Sequence, residues 1–321
     1  MSSSNHIKKV AIVGAGGNSG SYMTKALLET GKHTVTAITR AESNSKFPEG
    51  VEIKQVDYED ISTIVDALRG QDALVITLSV FAHGQQEKLI QAAADANVPW
   101  VLPNEWSPDT DNAGLVKDIG AFQEKPKIRA MVQQLGKSSY ISVVTGFWYE
   151  WSLSIPLAYG IDSLKHEATL FDEGDTMIST STWPQVGRAV AGLLSLPIRP
   201  EGDDKDRCLE RFRNGLVYVS SFTVSQKDML ESALRVTGTK MDDWKIIKES
   251  SSARYDAGSE AMKGGDRMGF IKLMYTRVFY PDGSGNFEQS KGTANELLEL
   301  PREDLDEATK AAIERQKNSS W

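Results

Sequence analysis

A cluster of glycines near the N-terminus has the spacing of a nucleotide-binding turn. The apolar run at residues 10–13 predicts a strand, and a helical pattern begins directly after the glycines. Glycines three residues apart let the chain turn tightly, admit a pyrophosphate against bare main chain, and bring the next helix close to its strand. The unpaired N–H groups of that helix then face the phosphates. A strand-to-helix turn that binds nothing is the alternative. The expected phosphate-binding residues are Gly14, Gly16, Gly17, Asn18, Ser19 and Gly20.

An arginine follows the second predicted strand, the β-branched segment 33–39. An NAD site places an acidic residue here, about 20 residues after the glycines, to bind the ribose hydroxyls. Arg40 occupies the position instead, and a guanidinium suits the 2′-phosphate of NADP. One charge-assisted hydrogen bond of about 1.5–3 kcal/mol would favour NADP about ten- to a hundredfold. The alternative is an ordinary surface arginine.

Two more strand ends are expected at the same edge of the sheet. Segment 51–56 alternates apolar and polar residues, and segment 72–79 is an almost continuous apolar run. Ligands bind beyond the carboxyl ends of parallel strands, so residues 77–80 should pass under the cofactor. Asp57 either lies beside the adenine or caps the next turn. The cofactor contacts expected from these strand ends are Asp57, Thr77, Leu78 and Ser79.

A lysine beside a proline is the candidate for proton transfer. Pro126 is tolerated only in the first turn of a helix, which places Lys125 near a helix N-terminus. The positive end of the helix dipole and a dry pocket would both lower the lysine pKa, and such a lysine can act as a base near neutral pH. A solvated helix lysine is the alternative. Upstream, the strand predicted at 98–102 leads into a rigid loop at the cleft that begins with Pro103 and Asn104. Pro103, Asn104 and Lys125 are also expected to contact the cofactor.

Aromatic residues follow the sixth predicted strand, 139–145, and four of them fall within five positions. They could form a platform for a flat substrate, or they could fill a core. The candidate substrate contacts are Trp106 from the preceding loop and Phe147, Trp148 and Tyr149 from this segment.

The order of elements predicts an α/β fold, a doubly wound parallel sheet (Rossmann) with a smaller C-terminal substrate-binding part. Alternation of strands and helices is regular up to about residue 150 and loosens afterwards. We therefore divide the chain into residues 1–152, which bind NADP, and residues 153–321, which cover the substrate. Segment 183–196, with its apolar helical stripe, is expected to return to the main body.

Composition favours small-molecule chemistry. The 321 residues carry a net charge of −8 and contain no long basic run, which argues against nucleic acid and anionic membranes as partners. One cysteine and four scattered histidines give neither a disulfide nor metal-ligand spacing. Without a signal peptide or a segment of about 20 apolar residues, we expect a cytoplasmic protein, a monomer or homodimer.

The glycine turn, Arg40, the 103–106 loop and the segment 122–129 together resemble the NmrA-like atypical short-chain reductases. The isoflavone reductase and phenylcoumaran benzylic ether reductase group is the most similar part of that family. This resemblance implies that Arg40 selects NADP and that Lys125 is the catalytic lysine. The chain departs from the family at Asn104 and Trp106, where serine and phenylalanine are common. No tyrosine has a lysine four residues on, so the proton relay of typical short-chain dehydrogenases is absent.

We therefore expect an NADPH-dependent reductase of an aromatic or conjugated small molecule. In this hypothesis Lys125 takes a proton from a phenol or enol, or donates one to a developing oxyanion, while hydride passes to an adjacent carbon. Two alternatives keep the fold. One is a redox-sensing regulator that binds the dinucleotide without turnover, and the other is a non-redox isomerase, dehydratase or cyclase.

Overall fold

The computed structural model describes residues 4–79, 82 and 84–318. Within these residues the strands are β1 (Lys9–Val13), β2 (Thr34–Arg40), β3 (Val51–Val56), β4 (Ala73–Ile76), β5 (Trp100–Leu102), β6 (Ser139–Val144), β7 (Phe147–Trp148), β8 (Ile161–Asp162), β9 (Glu167–Phe171), β10 (Ile178–Ser181), β11 (Gly215–Tyr218), β12 (Phe222–Val224) and β13 (Lys245–Glu249).

The helices of the same part of the chain lie between and after these strands. They are α1 (Asn18–Glu29), α2 (Ile61–Leu68), α3 (Gln85–Asp95), α4 (Ala113–Asp118), α5 (Glu124–Leu135), α6 (Tyr149–Leu153), α7 (Pro156–Tyr159), α8 (Trp183–Leu194), α9 (Gln226–Thr237), α10 (Ser251–Lys263), α11 (Arg267–Val278), α12 (Phe287–Lys291) and α13 (Leu305–Lys317).

The main sheet has the order β11-β6-β5-β4-β1-β2-β3 among the described residues, and its neighbouring strands run parallel. The predicted doubly wound parallel sheet is confirmed. The direction of strand order reverses between β1 and β4. Loops leaving these two strands diverge, so the crevice for a ligand opens there, beyond their carboxyl ends.

Alternate side chains of the strands enter two apolar cores, one on each face of the sheet. Ile12 and Val75 face a core that α1 and α8 complete with Met23 and Val186. On the opposite face, α2, α3 and α5 complete a second core. Burial on both faces explains the continuous apolar runs that predicted these strands. α8, which lies within segment 183–196, packs against α1.

The C-terminal part contains two small sheets and the helical hairpin of α10 and α11. β10 lies between β12 and β7, and β9 lies between β13 and β8. A third apolar core holds these elements to α6 and α7 through aromatic side chains such as Tyr159 and Phe279. The boundary at residue 152 stays a prediction. No helix within the described ranges has the length and apolar character needed to cross a membrane.

Among the elements that the sequence did not predict are β11 and α4. β11 extends the main sheet by pairing with β6, although it follows a charge-dense segment, 203–213, far along the chain. The helix α4 begins at a side-chain cap, where the Asn112 side chain accepts hydrogen bonds from the N–H groups of Gly114 and Leu115. β11 depends on long-range pairing and α4 on a single side-chain cap, and hydrophobic periodicity indicates neither.

Candidate functional site

The glycine turn joins β1 to α1 in a conformation that side chains would obstruct. Gly14 has a φ of +77°, and a Cβ atom there would lie 2.0 Å from the carbonyl oxygen of Thr77. A Cβ on Gly20 would lie 2.1 Å from the carbonyl oxygen of Gly14. A Cβ on Gly17 would lie 3.1 Å from the same Gly14 oxygen, which is a tight contact, and Gly14, Gly16 and Gly17 all line the cleft described below. The turn is therefore a close strand-to-helix contact with bare main chain toward the cleft, which is what a pyrophosphate requires.

The Thr77 side chain ties this turn to the end of β4. Its hydroxyl donates to the carbonyl oxygens of Val13, at 2.9 Å, and Gly14, at 3.2 Å. The N–H of Gly17 donates to the same Gly14 oxygen at 2.9 Å. These bonds fix the turn before any ligand arrives, so its N–H groups are already oriented.

Replacing Gly20 by alanine is expected to lower both the melting temperature and the affinity for NADP⁺, the latter by about tenfold. The added methyl group would overlap the Gly14 carbonyl and push α1 away from the turn, and such overpacking costs about 1–3 kcal/mol. Calorimetric titration and thermal unfolding measure the two effects. Gly120→Ala is the matched control, because a Cβ there meets nothing within 4 Å. Equal NADP⁺ affinity of the Gly20 and Gly120 variants would contradict this view of the turn.

A cleft of about 860 Å³ opens over the turn. Of the predicted cofactor residues, Gly14, Gly16, Gly17, Arg40, Asp57, Thr77, Leu78 and Ser79 line it. Asn18, Ser19, Gly20, Pro103, Asn104 and Lys125 are not among its lining residues. Val80 lies outside the described residues. The lining residues that the sequence did not indicate come mainly from the loops after β2, β3 and β4: Glu42, Ser43, Ser45, Phe47, Tyr58, Glu59, Ala82 and Gln85.

Arg40 and Asp57 stand on adjacent strand ends at the cleft. Both are exposed and both line it, as expected for groups that meet a ribose and its substituents. The Asp57 carboxylate also accepts the N–H of Glu59 at 2.9 Å, so it caps the next turn, and its contact with adenine stays a prediction. Tyr58 lies beside them, and burial raises the pKa of its phenol.

The loop after β5 is fastened to the end of β4 by three side-chain hydrogen bonds. The Asn104 amide accepts from the N–H of Leu78 and donates to its carbonyl oxygen, each at 3.1 Å. The indole N–H of Trp106 donates to the carbonyl oxygen of Ile76 at 2.7 Å. Asparagine at 104 therefore bridges both backbone groups of Leu78, which a serine hydroxyl is too short to do. This bridge fixes the loop beside a residue that lines the cleft.

Lys125 lies in the first turn of α5, as predicted, and its amine is bound to this loop. Nζ donates to the main-chain carbonyl oxygens of Asn104, at 2.8 Å, and Glu105, at 2.5 Å. Burial lowers the pKa of Lys125, while the carboxylates of Glu105 and Glu124 partly oppose this shift. An ammonium has three N–H donors and a neutral amine has two. The two carbonyls therefore leave one position, a proton or a lone pair, free to meet a substrate.

A buried ion pair between the loop and α5 also holds the loop in place. The Arg129 guanidinium contacts both carboxylate oxygens of Glu105 at 3.0 Å, and the Thr110 hydroxyl also donates to that carboxylate. Arg129 further donates to the hydroxyl and carbonyl oxygens of Thr110. Glu105 is 1% exposed, so its carboxylate depends on these partners for its charge. The carbonyls that orient Lys125 thus belong to a doubly anchored loop.

Three comparisons agree on the relatives of this chain. The NmrA-like family model matches residues 6–161. The Oxidoreductase aprR of Aspergillus flavus is 29% identical over 303 residues, which cover 93% of this chain and 96% of that protein. The similarity to the NmrA-like family therefore covers the N-terminal half of the chain.

The fold of this chain is shared with reductases of known structure. A structure described as pinoresinol-lariciresinol and phenylcoumaran benzylic ether reductases aligns with a TM-score of 0.75 at 19% identity, over 94% of this chain and 99% of that one. An NADPH-dependent quinone oxidoreductase (QOR2) from Escherichia coli, complexed with NADPH, aligns with a TM-score of 0.67 at 18% identity, over 95% of this chain and 99% of that one. At these identities the likeness concerns the fold.

Not all of the predicted substrate contacts are accessible. Tyr149 is wrong as a substrate contact: it is 0% exposed, and its hydroxyl shares a 2.7 Å hydrogen bond with Thr309 inside the C-terminal core. Trp106 and Phe147 are each 8% exposed, so at most one edge of either ring is available. Trp148 is half-buried and stays a prediction. Tyr149 is the first residue of α6, and its burial comes from a tertiary contact with α13, which supplies Thr309.

Proposed function

We propose that this protein is an NADPH-dependent reductase of an aromatic or conjugated small molecule, with Lys125 handling the proton. The observation that carries the proposal is the short connection between the cleft and the lysine. Leu78 lines the cleft, the Asn104 side chain binds the Leu78 main chain, and the Asn104 carbonyl oxygen accepts from Nζ of Lys125. A candidate base therefore lies next to the place where a dinucleotide would end.

The residues of the cleft fit NADP(H). Gly14 and Gly20, where a Cβ atom would collide, build the turn, and Gly16 and Gly17 line the cleft without a side chain, as a pyrophosphate site requires. Arg40 supplies a cation at the strand end that meets the adenosine ribose, where an NAD site would have a carboxylate. When bound, the cofactor supplies the hydride.

Lys125 would act on the oxygen of the substrate. Its two carbonyl partners hold Nζ in place, and burial lowers its pKa, which favours the neutral amine more than in a solvated lysine. A positioned amine can take a proton from a phenol or enol, and a positioned ammonium can give one to a developing oxyanion. The names of the family relatives support reduction of an aromatic compound, since the related structures include benzylic ether and quinone reductases.

Arg40→Ala is expected to weaken NADP⁺ binding about ten- to a hundredfold and to leave NAD⁺ binding within about twofold. Removal of the guanidinium would eliminate one or two charge-assisted hydrogen bonds to the 2′-phosphate, each of about 1.5–3 kcal/mol. Calorimetric titration with both dinucleotides measures the selectivity. Arg69→Ala is the control, because this exposed guanidinium contacts Asp66 on α2 and does not line the cleft. Equal loss for both dinucleotides would contradict a role in selecting NADP.

The reductase proposal is tested by following cofactor absorbance and product together across a panel of quinones, aromatic ketones and benzylic ethers. Consumption of NADPH with stoichiometric product supports it. Tight NADPH binding with no consumption across the panel would identify a sensor. Product formed without net cofactor consumption would identify an isomerase, dehydratase or cyclase.

A further inference from the structure

A cluster of aromatic side chains lies where α1, β7 and α8 meet. Trp183 is at its centre: the Tyr22 ring stacks on it at 6.0 Å, and the rings of Trp148 and Trp151 lie 5.9 Å away. We call these four residues the tryptophan cluster. The Arg315 guanidinium lies over Trp151 at 4.3 Å and over Trp183 at 5.1 Å.

Three buried polar atoms in and beside the tryptophan cluster have no hydrogen-bond partner within the described part of the chain. They are the indole nitrogens of Trp148 and Trp183 and Oε2 of Glu150. Trp183 is 5% exposed and Glu150 is 8% exposed. The other oxygen of Glu150 accepts the main-chain N–H of Trp183 at 2.8 Å. Buried donors and acid groups without partners are costly, so three of them together indicate a group that the protein is built to receive.

The tryptophan cluster lies at the same edge of the sheet as the glycine turn. Tyr22 is one turn into α1, which begins directly after that turn. Trp148 follows the end of β6, where the N–H groups of Thr145 and Gly146 both donate to the carbonyl oxygen of Ser107. Ser107 belongs to the loop whose carbonyls hold Lys125. The cluster is thus next to the candidate reaction site, on the α1 side of the sheet.

The charges around Glu150 favour a neutral ligand. Burial and the Glu303 carboxylate raise the pKa of Glu150 to about 7, while Arg315 opposes this shift. Burial and Glu150 also raise the pKa of the Tyr22 phenol. A carboxylate ligand would be repelled by the negative charge of ionised Glu150. Protonated Glu150 instead adds an O–H donor to the two indole N–H donors. All three groups can then serve an uncharged acceptor oxygen.

We infer that the tryptophan cluster is the subsite for the substrate ring, and that it recognises an uncharged planar molecule by a carbonyl-type oxygen bound to the indole N–H groups of Trp148 and Trp183. This inference deepens the proposed function and rests on it. Tyr22 and the Trp148 ring supply flat apolar surface, and the two N–H groups select against rings that lack the oxygen. A site built to bind an oxygen rejects the analogue without it, because its donors are then left unpaired.

The probes are 4-chromanone and chroman, which differ by one carbonyl group. Both are titrated calorimetrically into wild-type protein saturated with NADP⁺, which keeps hydride transfer from occurring. We expect 4-chromanone to bind at least about tenfold more tightly than chroman, because one or two buried hydrogen bonds contribute about this much to affinity. Equal affinity, or no saturable binding of either probe, would overturn the inference.

Tryptophan-to-phenylalanine variants locate the interaction. Trp148→Phe and Trp183→Phe keep an aromatic ring and remove the N–H, so each should weaken 4-chromanone about three- to tenfold and leave chroman unchanged. Trp244→Phe is the matched control, because Trp244 is also buried but its indole N–H is bound to Thr239 at 2.9 Å. Unchanged 4-chromanone affinity in both cluster variants would overturn the inference.

Binding of NADP⁺ separates this inference from the proposed function. Wild-type protein that fails to bind NADP⁺ would remove the reductase proposal. Intact NADP⁺ binding with probes that do not distinguish the carbonyl would remove the subsite alone. The same NADP⁺ titration shows that each phenylalanine variant is folded.

Discussion

Lys125→Met is expected to lower turnover by about a hundredfold or more while NADPH affinity stays within about twofold of wild type. Loss of a positioned proton-transfer group costs typically 10²–10⁴-fold in rate. Methionine keeps the length and apolar stem of lysine, and Lys125 is not among the residues that line the dinucleotide cleft. Single-turnover kinetics with an accepted substrate give the rate, and calorimetry gives the affinity.

Lys125 also holds the loop carbonyls, so a second variant must separate structure from chemistry. Lys125→Arg keeps donors for the carbonyl oxygens of Asn104 and Glu105, but a guanidinium does not deprotonate in this pH range. Thermal stability should return toward wild type and turnover should stay low. Lys127→Met, at an exposed position on the same helix, is the control and should match wild type. Wild-type turnover in Lys125→Met, or its full recovery in Lys125→Arg, would remove Lys125 from proton transfer.

The pH dependence of kcat distinguishes the two proton-transfer roles. Burial lowers the pKa of Lys125 below its ordinary value of 10.5, so its titration is brought toward neutral pH. If the amine is the base, the rate rises as pH increases through that pKa. If the ammonium is the proton donor, the rate falls over the same interval. In either case this change of kcat with pH should be absent in Lys125→Met. A change that persists in the variant would come from the titration of another group.

Local patterns predicted the elements that build the cleft. The apolar runs gave the strands on both sides of the β1 and β4 reversal, and the glycine spacing placed the turn between β1 and α1. Both signals come from residues close together in the chain. β11 could not be predicted in this way. It pairs with β6, which lies far back along the chain, and it directly follows the charge-dense segment 203–213.

The chemistry around Lys125 was only half visible in the sequence. Pro126 predicted that the lysine lies in a first helical turn, but nothing local indicated that Arg129 pairs with Glu105, 24 residues earlier. The side chains of a glutamate in a loop and of an arginine on a helix are normally exposed to solvent. Their pairing follows from the position of α5 beside the loop after β5, which is a tertiary contact. The same limit explains Tyr149, whose burial depends on α13.

Arg129→Leu is expected to lower the free energy of unfolding by about 3–5 kcal/mol, the typical cost of leaving a buried charge without its partner. The Glu105 carboxylate is 1% exposed and would keep only the Thr110 hydroxyl among its side-chain partners in the described structure. Denaturant titration measures the loss. Arg69→Leu should cost less than about 1 kcal/mol, because its ion pair with Asp66 is exposed.

The double variant Glu105→Leu, Arg129→Leu tests whether the cost comes from the stranded charge. With both charges removed, most of the lost stability should return, since buried ion pairs are often replaceable by apolar residues of similar size. Turnover should not return, because the loop that orients Lys125 would have lost the anchor on its Glu105 side. A double variant as unstable as Arg129→Leu would assign the effect to packing. One with wild-type turnover would show that the carbonyls of Asn104 and Glu105 are positioned without the ion pair, by the hydrogen bonds of Asn104 and Trp106 to the end of β4.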